Sequence, residues 1–296
     1  SMPITERLRL RKETTYGTYD AGGTTLYIEL SAPNSFSVRR TPVLGTIRTP
    51  AAGNRPAKRH TSRHLIQGSL RTLLYHTQAA DLLAWAFTPT ANVLPSWTAD
   101  YYDGVYYRRY TGLRVASCTI TGEAEAEESR VVCTFNLMGQ TDATITIADF
   151  AAPAYTDYPS GIPYVFQEAG ASGLKVGTTQ ARYNMFSINV ENKLLPATNV
   201  LAYPDDLYYR GRDVKLSFRP EYSATTLRTA FRDQTTLDSE LTLTQGGNSV
   251  KFDIHDTVYI DTLEDALGWD EVDRQPITLA AMYSSSNTTD LTITIV

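Results

Sequence analysis

The chain has little cysteine, with two residues among 296. That excludes a disulfide-built scaffold and a four-cysteine metal ribbon. No apolar run approaches the roughly 18–20 residues that a membrane-crossing helix needs. The opening Ser1-Met2-Pro3-Ile4-Thr5-Glu6-Arg7 lacks the apolar stretch of a signal peptide. The expectation is a soluble protein made in a reducing cytoplasm, with no membrane partner. Phosphate-binding glycine loops are also missing: neither Gly-x-x-x-x-Gly-Lys nor Gly-x-Gly-x-x-Gly occurs. Gly170-Ala171-Ser172-Gly173 is one residue short of a nucleophile elbow, and no helical pattern follows it.

The chain has only four histidines. His60 and His64 stand four apart, as helical zinc ligands do, but Thr61 takes the place of the required Glu. The pair also lies in an arginine-rich run that repels cations, so both read as solvated polar residues. His76 and His255 have no cysteine or acid cluster at ligand spacing, although His255 precedes Asp256. Asp205-Asp206 and the Glu123-x-Glu125-x-Glu127 comb have the residue type that glycoside hydrolysis uses. Adjacent like charges prefer water, so the comb reads as a solvated hairpin end. No catalytic residue, cofactor site or metal site is expected.

Acids are absent from one long window. None occurs between Glu29 and Asp81, where Arg39, Arg40, Arg48, Arg55, Lys58, Arg59, Arg63 and Arg71 contribute eight positive charges. The whole chain carries −5, so the remainder carries −13. Such asymmetry predicts an arm that meets an acidic surface.

What the chain does have is tyrosine (19 residues) and many threonines and valines, which favour strands. Residues 4–12 alternate and suit an edge strand or ordered arm. Leu26–Leu30 and Phe36–Arg40 read as strands, and 41–62, with three prolines and two glycines, as a long loop. His64–Phe87 shows a three-to-four-residue leucine stripe, which predicts helix ending at Thr88-Pro89. Trp97–Tyr110 reads as a hairpin around Asp103-Gly104. A second hairpin joins Leu113–Thr121 to Val131–Leu137 across the acidic tip Glu123–Glu128, and a symmetric closure sets Cys118 opposite Cys133. Tyr101, Tyr102, Tyr106, Tyr107 and Tyr110, interleaved with Arg108 and Arg109, either stack a sugar or base or pack against a neighbour.

Residues 151–163, with Pro153, Pro159 and Pro163, read as a linker. Beyond it come strands at Tyr183–Glu191 and Val214–Phe218 and a short helix at 224–234. A hairpin of Glu240–Thr244 with Val250–Ile254 follows, then strands at Ile277–Tyr283 and Leu291–Val296. The second half thus repeats the first. Phe186-Ser187-Ile188 echoes Phe36-Ser37-Val38, Thr226-Leu227-Arg228-Thr229 echoes Ser69-Leu70-Arg71-Thr72, and Gly246-Gly247 echoes Asp103-Gly104, in the same order. The spacing means two similar β-units rather than a solenoid. The predicted domains are 1–150, a linker at 151–163, and 164–296.

Four stretches resemble tail tube proteins of long-tailed bacteriophages and related prophages. They are Lys12–Thr18, then Leu94–Trp97 with Tyr110–Ser117 leading into Val131–Gly139, then Phe186–Leu194, then Gly211–Val214. The resemblance implies a mainly β fold of two tandem tail-tube-like sandwich or barrel units, each with a flanking helix. It implies a structural virion protein, not an enzyme, whose rings stack into the hollow tail tube through which DNA passes. The repeat fits the duplicated version, a trimer with pseudo-sixfold symmetry, and otherwise a hexamer. Other partners would be the tape measure, terminator and distal tail proteins, and double-stranded DNA in transient, non-specific passage. The location would be the virion tail, after synthesis in the host cytoplasm.

Under this reading the basic segment, Arg39, Arg40, Arg48, Arg55, Lys58, Arg59 and Arg63, reaches across a ring or subunit boundary. Its acidic partner, or an acidic lumen surface, would be Glu123, Glu125, Glu127 and Glu128, or Asp261, Glu264 and Asp265. Ser117, Thr119, Thr121 and Thr134 would line the lumen. The competing readings are a carbohydrate-binding β-protein of a virion or cell surface, another tail component such as a terminator or baseplate ring, a glycosidase, and a nucleic-acid-binding arm.

Overall fold

Alternation of apolar and polar side chains sets the fold, as in Phe186, Ile188 and Val190, which are buried between more open Ser187, Asn189 and Glu191. The computed structural model describes residues 6–30, 34–48, 56–124, 129–150, 157–166, 173–180, 183–197, 203–220, 233, 235–259, 277–286 and 288–296. The first half contains β1 (Arg7–Lys12), β2 (Thr25–Glu29), β3 (Ser35–Arg48), β4 (Pro56–Leu73), α1 (His76–Phe87), β5 (Trp97–Tyr102), β6 (Tyr107–Glu123), β7 (Val132–Gly139) and β8 (Thr141–Thr144). The second contains β9 (Gly173–Val176), β10 (Thr179–Gln180), β11 (Tyr183–Ala197), β12 (Asp206–Pro220), β13 (Leu237–Gln245), β14 (Asn248–Tyr259), β15 (Ile277–Ala280) and β16 (Leu291–Ile295). The fold is mainly β, as expected, and the strands pair antiparallel in a sheet that does not close.

The two halves pair strand for strand. β1 pairs β2 and β5, and β9 pairs β10 and β13. β4 lies between β3 and β7, and β12 between β11 and β15. β6 holds β5, β7 and β8, and β14 holds β13, β15 and β16. Even the irregularities recur. The ladder slips between Trp97 and Ala99 in one half and between Leu237 and Ser239 in the other. A left-handed residue follows in each long strand, Gly112 (φ 69) and Asp256 (φ 46).

At Gly112 the long strand β6 turns a corner. Its first part pairs β5 and β8, and its last part pairs β7 and β11. A side chain here would be strained by the positive φ, and its Cβ would stand 2.9 Å from Gln140 Cβ. Buried Glu13 fixes the corner by accepting hydrogen bonds from Gly112 N–H (2.8 Å) and Thr98 Oγ1 (2.7 Å).

Between the strand layers lies one apolar cluster that includes residues of both halves. Phe36 packs on Tyr101 and Tyr110, and Trp85 of α1 packs on Trp97 and Phe135. Fully burying each such ring contributes roughly 1.5–3 kcal/mol.

Several expectations change. Of the proposed loop at 41–62, residues 41–48 and 56–62 are strand, so the basic segment is part of a long hairpin. The helix begins at His76, not His64. Ile66, Leu70 and Thr72 alternate inward, and β3 and β7 flank the segment on both sides, which overrides the leucine stripe. β1 is not an edge, because β2 and β5 enclose it. Its one deeply buried basic residue, Arg9, pairs with Asp100 at 2.5 Å. Cys118 lies opposite Phe135 and Cys133 opposite Ile120, two residues off the symmetric closure. The thiols are diagonal neighbours, buried and free. β8, β9 and β10 were not foreseen. The helix expected at 224–234 lies outside the described residues except Asp233.

Candidate functional site

The strongest built feature is the joint between the halves. β11 continues the sheet beside β6, from Ser117 opposite Glu191 to Glu123 opposite Met185. Gly122 lets the strands fit, since a Cβ there would meet the Phe186 ring at 2.4 Å. Side chains of the second half then complete the first. A helix C-terminus leaves carbonyls without partners and favours a nearby cation. α1 has no basic residue in its last turn. Asn192 Nδ2 donates to Ala86 O at 2.8 Å and to Val115 O at 3.0 Å. Arg212 donates to Phe87 O at 2.6 Å while pairing with Asp290 at 2.5 Å.

The hairpin β11–β12 runs on past this joint as an arm that lies against the first half. Buried Arg114 donates to Asp206 (2.6 Å) and to the Leu207 carbonyl, and stacks on the Tyr16 ring at 4.4 Å. Burial, opposed by Arg114, raises the Tyr16 hydroxyl far above the ordinary tyrosine range. Tyr203 meets the His64 ring.

β3 stands where β11 stands, but its outer edge is open. Among the described residues β3 pairs only β4, whereas β11 pairs both β12 and β6. An open edge is a template for another strand.

Ser117, Thr119, Thr121 and Thr134 do share one face. Thr134 pairs Thr119, which pairs Asn189, and Asn136 pairs Ser117. All four are half-buried or exposed, and the face opposite them is the core. Arg39 and Arg40 are exposed on β3. Arg40 lies 3.7 Å from Asp142 and 3.0 Å from His64 Nδ1. Arg48 is on β3, and Lys58, Arg59 and Arg63 are on β4. Glu123 ends β6. Arg55, Glu125, Glu127, Glu128, Asp261, Glu264 and Asp265 lie outside the described residues.

His64 corrects the solvated reading: it is buried on a strand, 7% exposed. Burial first, and Arg40 second, hold its pKa below the usual imidazole value. His76 Nδ1 lies 3.3 Å from the Tyr164 hydroxyl, and His255 Nε2 lies 3.0 Å from Thr292 Oγ1. No group of three or more metal-ligating side chains gathers among the described residues. The tyrosine hairpin spends most of its rings internally. Tyr102 stacks on Tyr107 at 4.4 Å, Tyr101 packs on Phe36 and Tyr110 is buried, leaving Tyr106 exposed. Among the described residues, an open cleft of about 350 Å³ beside Ala116 has Glu191 as its one carboxylate, not the pair that glycoside hydrolysis uses. No helix among the described residues is long and apolar enough to cross a membrane.

The joint, the arms and the matching strand pairs leave little trace in the sequence. The paired Phe-Ser motifs and the two hairpin turns gave their only signal.

The family model described as phage tail tube protein matches residues 4–292, nearly the whole chain. No curated protein matches significantly.

Proposed function

The chain belongs to the phage tail tube protein family, and from that premise we propose that copies join edge to edge into rings that stack as the tail tube. The family supports a structural role in the virion tail. The observation that carries the finer reading is the open outer edge of β3, beside a β11 whose equivalent edge is already filled by β6. The internal joint is one example of a contact that repeats around a ring. Domains at about 1–150 and 164–296, each one tube unit, give a trimer with pseudo-sixfold symmetry. Closing the ring removes the exposed edges.

The hydroxyl and amide face of Ser117, Thr119, Thr121 and Thr134 then lines the lumen. The same face carries Arg71 opposite Thr134 and Lys215 opposite Asn189, offset by Glu123 and Glu191, so double-stranded DNA meets little net positive charge in passing. The basic hairpin, with Arg39, Arg40, Arg48, Arg55, Lys58, Arg59 and Arg63, engages an acidic surface of another copy. Candidate acidic segments are Glu123–Glu128 and Asp261–Asp265. Tape measure, terminator and distal tail proteins contact the tube ends. Synthesis is in the host cytoplasm. The test is electron microscopy of the purified protein with its mass in solution. Stacked rings with threefold symmetry are expected, sixfold symmetry would overturn the two-unit reading, and a monomer at every concentration would overturn the tube reading.

A further inference from the structure

Two long hairpins leave the body of the chain as arms. The arm β11–β12 has its seat within the chain, on the corner of β6. Three rungs beyond its bulge, counting from Leu194 opposite Tyr209, stands Asp206, with Asp205 beside it. Asp206 accepts from Arg114, two residues past the Gly112 corner. The arm β3–β4 is built alike. Three rungs beyond its own bulge, counting from Leu44 opposite Thr61, stands Lys58, with Arg59 one rung nearer the bulge, where the other arm has Leu207. The charge at that rung is reversed.

The counterpart seat is reversed as well. Trp97 opposite Leu113 corresponds to Leu237 opposite Thr257, so the corner of β14 is the corner of β6 again. Where the first half has Thr98 and Gly112, the second has Asp238 and Asp256. Where the first has Arg114, the second has Val258. Asp238 is 67% exposed, with Oδ1 accepting from Asp256 N–H at 2.9 Å and lying 3.8 Å from His255 Nδ1. A basic arm thus has an acidic seat at the same geometric place where an acidic arm has a basic one.

We propose that the Lys58–Arg59 arm of each chain seats on the Asp238–Asp256 corner of the neighbouring copy in the same ring, repeating between chains the contact that Asp206 makes with Arg114 inside one. The inference rests on the ring reading and gives the arm's Lys58–Arg59 the corner of β14 as its seat, in place of Glu123–Glu128 or Asp261–Asp265. It places the arm within a ring and not between stacked rings. It also explains why acids are missing from the arm, since an acid there would face carboxylates. Exposed complementary charges steer encounter and fix register more than they add affinity.

The test is charge exchange in the full chain. The arm variant is Lys58→Glu with Arg59→Glu. The seat variants are Asp238→Lys and the milder Asp238→Asn, whose amide oxygen still accepts from Asp256. Circular dichroism and thermal melting check that each monomer is folded, and sedimentation velocity separates monomer, ring and tube. Reversing either side should lower ring formation roughly tenfold or more, because like charges across an interface are strongly disfavoured. Asp238→Asn should lower it less. Combining the arm variant with Asp238→Lys should restore rings. Normal rings from the arm variant would overturn the proposal, as would rings that form but no longer stack, since the arm would then act between rings. A folded wild type that never forms rings would overturn instead the tube reading on which the proposal rests.

Discussion

Replacing Arg212 with alanine should cost the unassembled chain about 4 kcal/mol. The Arg212 side chain is 10% exposed and Asp290 is 18% exposed. The guanidinium donates to Asp290 Oδ1 from Nε at 2.8 Å and Nη2 at 2.5 Å, and to Phe87 O at 2.6 Å. Truncation leaves a largely buried carboxylate unpaired, worth roughly 3–5 kcal/mol. It also leaves a helix-terminal carbonyl unsatisfied, worth about 1 kcal/mol or more. These are not additive, hence about 4. Arg212→Lys should cost less, about 1–2 kcal/mol, because it keeps charge but not the planar fork. The assay is urea unfolding followed by tryptophan fluorescence, read at unchanged slope so that the midpoint reports stability. Removing Asp290 as well should cost much less than the two single losses together. A loss under about 1 kcal/mol, or simple additivity, would refute the claim that the second half completes the helix of the first.

The two corner residues should respond in opposite ways. Gly112→Ala should lose roughly 2–3 kcal/mol from positive φ and crowding against Gln140, whereas Asp256→Gly should change thermal stability by less than about 1 kcal/mol. Burial pushes the Cys133 thiol up to about 12 and holds Cys118 well above its ordinary value. Both should resist thiol reagents in the folded chain and react only on unfolding, and fast labelling of the native protein would contradict this. His64 is held neutral by burial and Arg40, with its folded pKa below the ordinary value of about 6.5. Its stabilising contribution is therefore complete above that pH and lost as pH falls through the lower folded value. Urea midpoints measured from pH 7 to 5 should fall less steeply in His64→Gln than in the wild type.

Strands with clean alternation were legible in the sequence, as were both hairpin turns and the Phe36 and Phe186 echo. Segments with mixed signals were not. Leu65, Leu70 and Leu73 fit a helical stripe, yet pairing with β3 and β7 makes that stretch β4. Prolines at 42 and 56 suggested a loop, but Pro42 lies opposite His64 and Pro56 begins β4, so strand continues through both. Arg9 read as an outward residue because nothing in sequence locates its partner Asp100, 91 positions away. The joint was hidden for the same reason. Asn192, Arg212 and Arg114 each act on residues 77 or more positions distant.

The two joints of a duplicated chain face different physical demands. The internal joint forms between segments of one polymer, so its halves are never far apart and no wrong partner competes. Buried, geometrically strict bonds suit it: Asn192 on two carbonyls, Arg212 on a helix terminus, Arg114 within the fold. In the proposed ring the external joint must form by diffusion and must reject the internal seat. An arm that copied Asp205-Asp206 would fit the Arg114 corner of any chain and compete with the internal contact. Reversing both charges, to Lys58-Arg59 on the arm and Asp238 with Asp256 on the corner, keeps the geometry of the joint while making each arm repel the other's seat. In the proposed ring, the sign change is the feature that lets one fold, used twice, close inwardly in one place and outwardly in another.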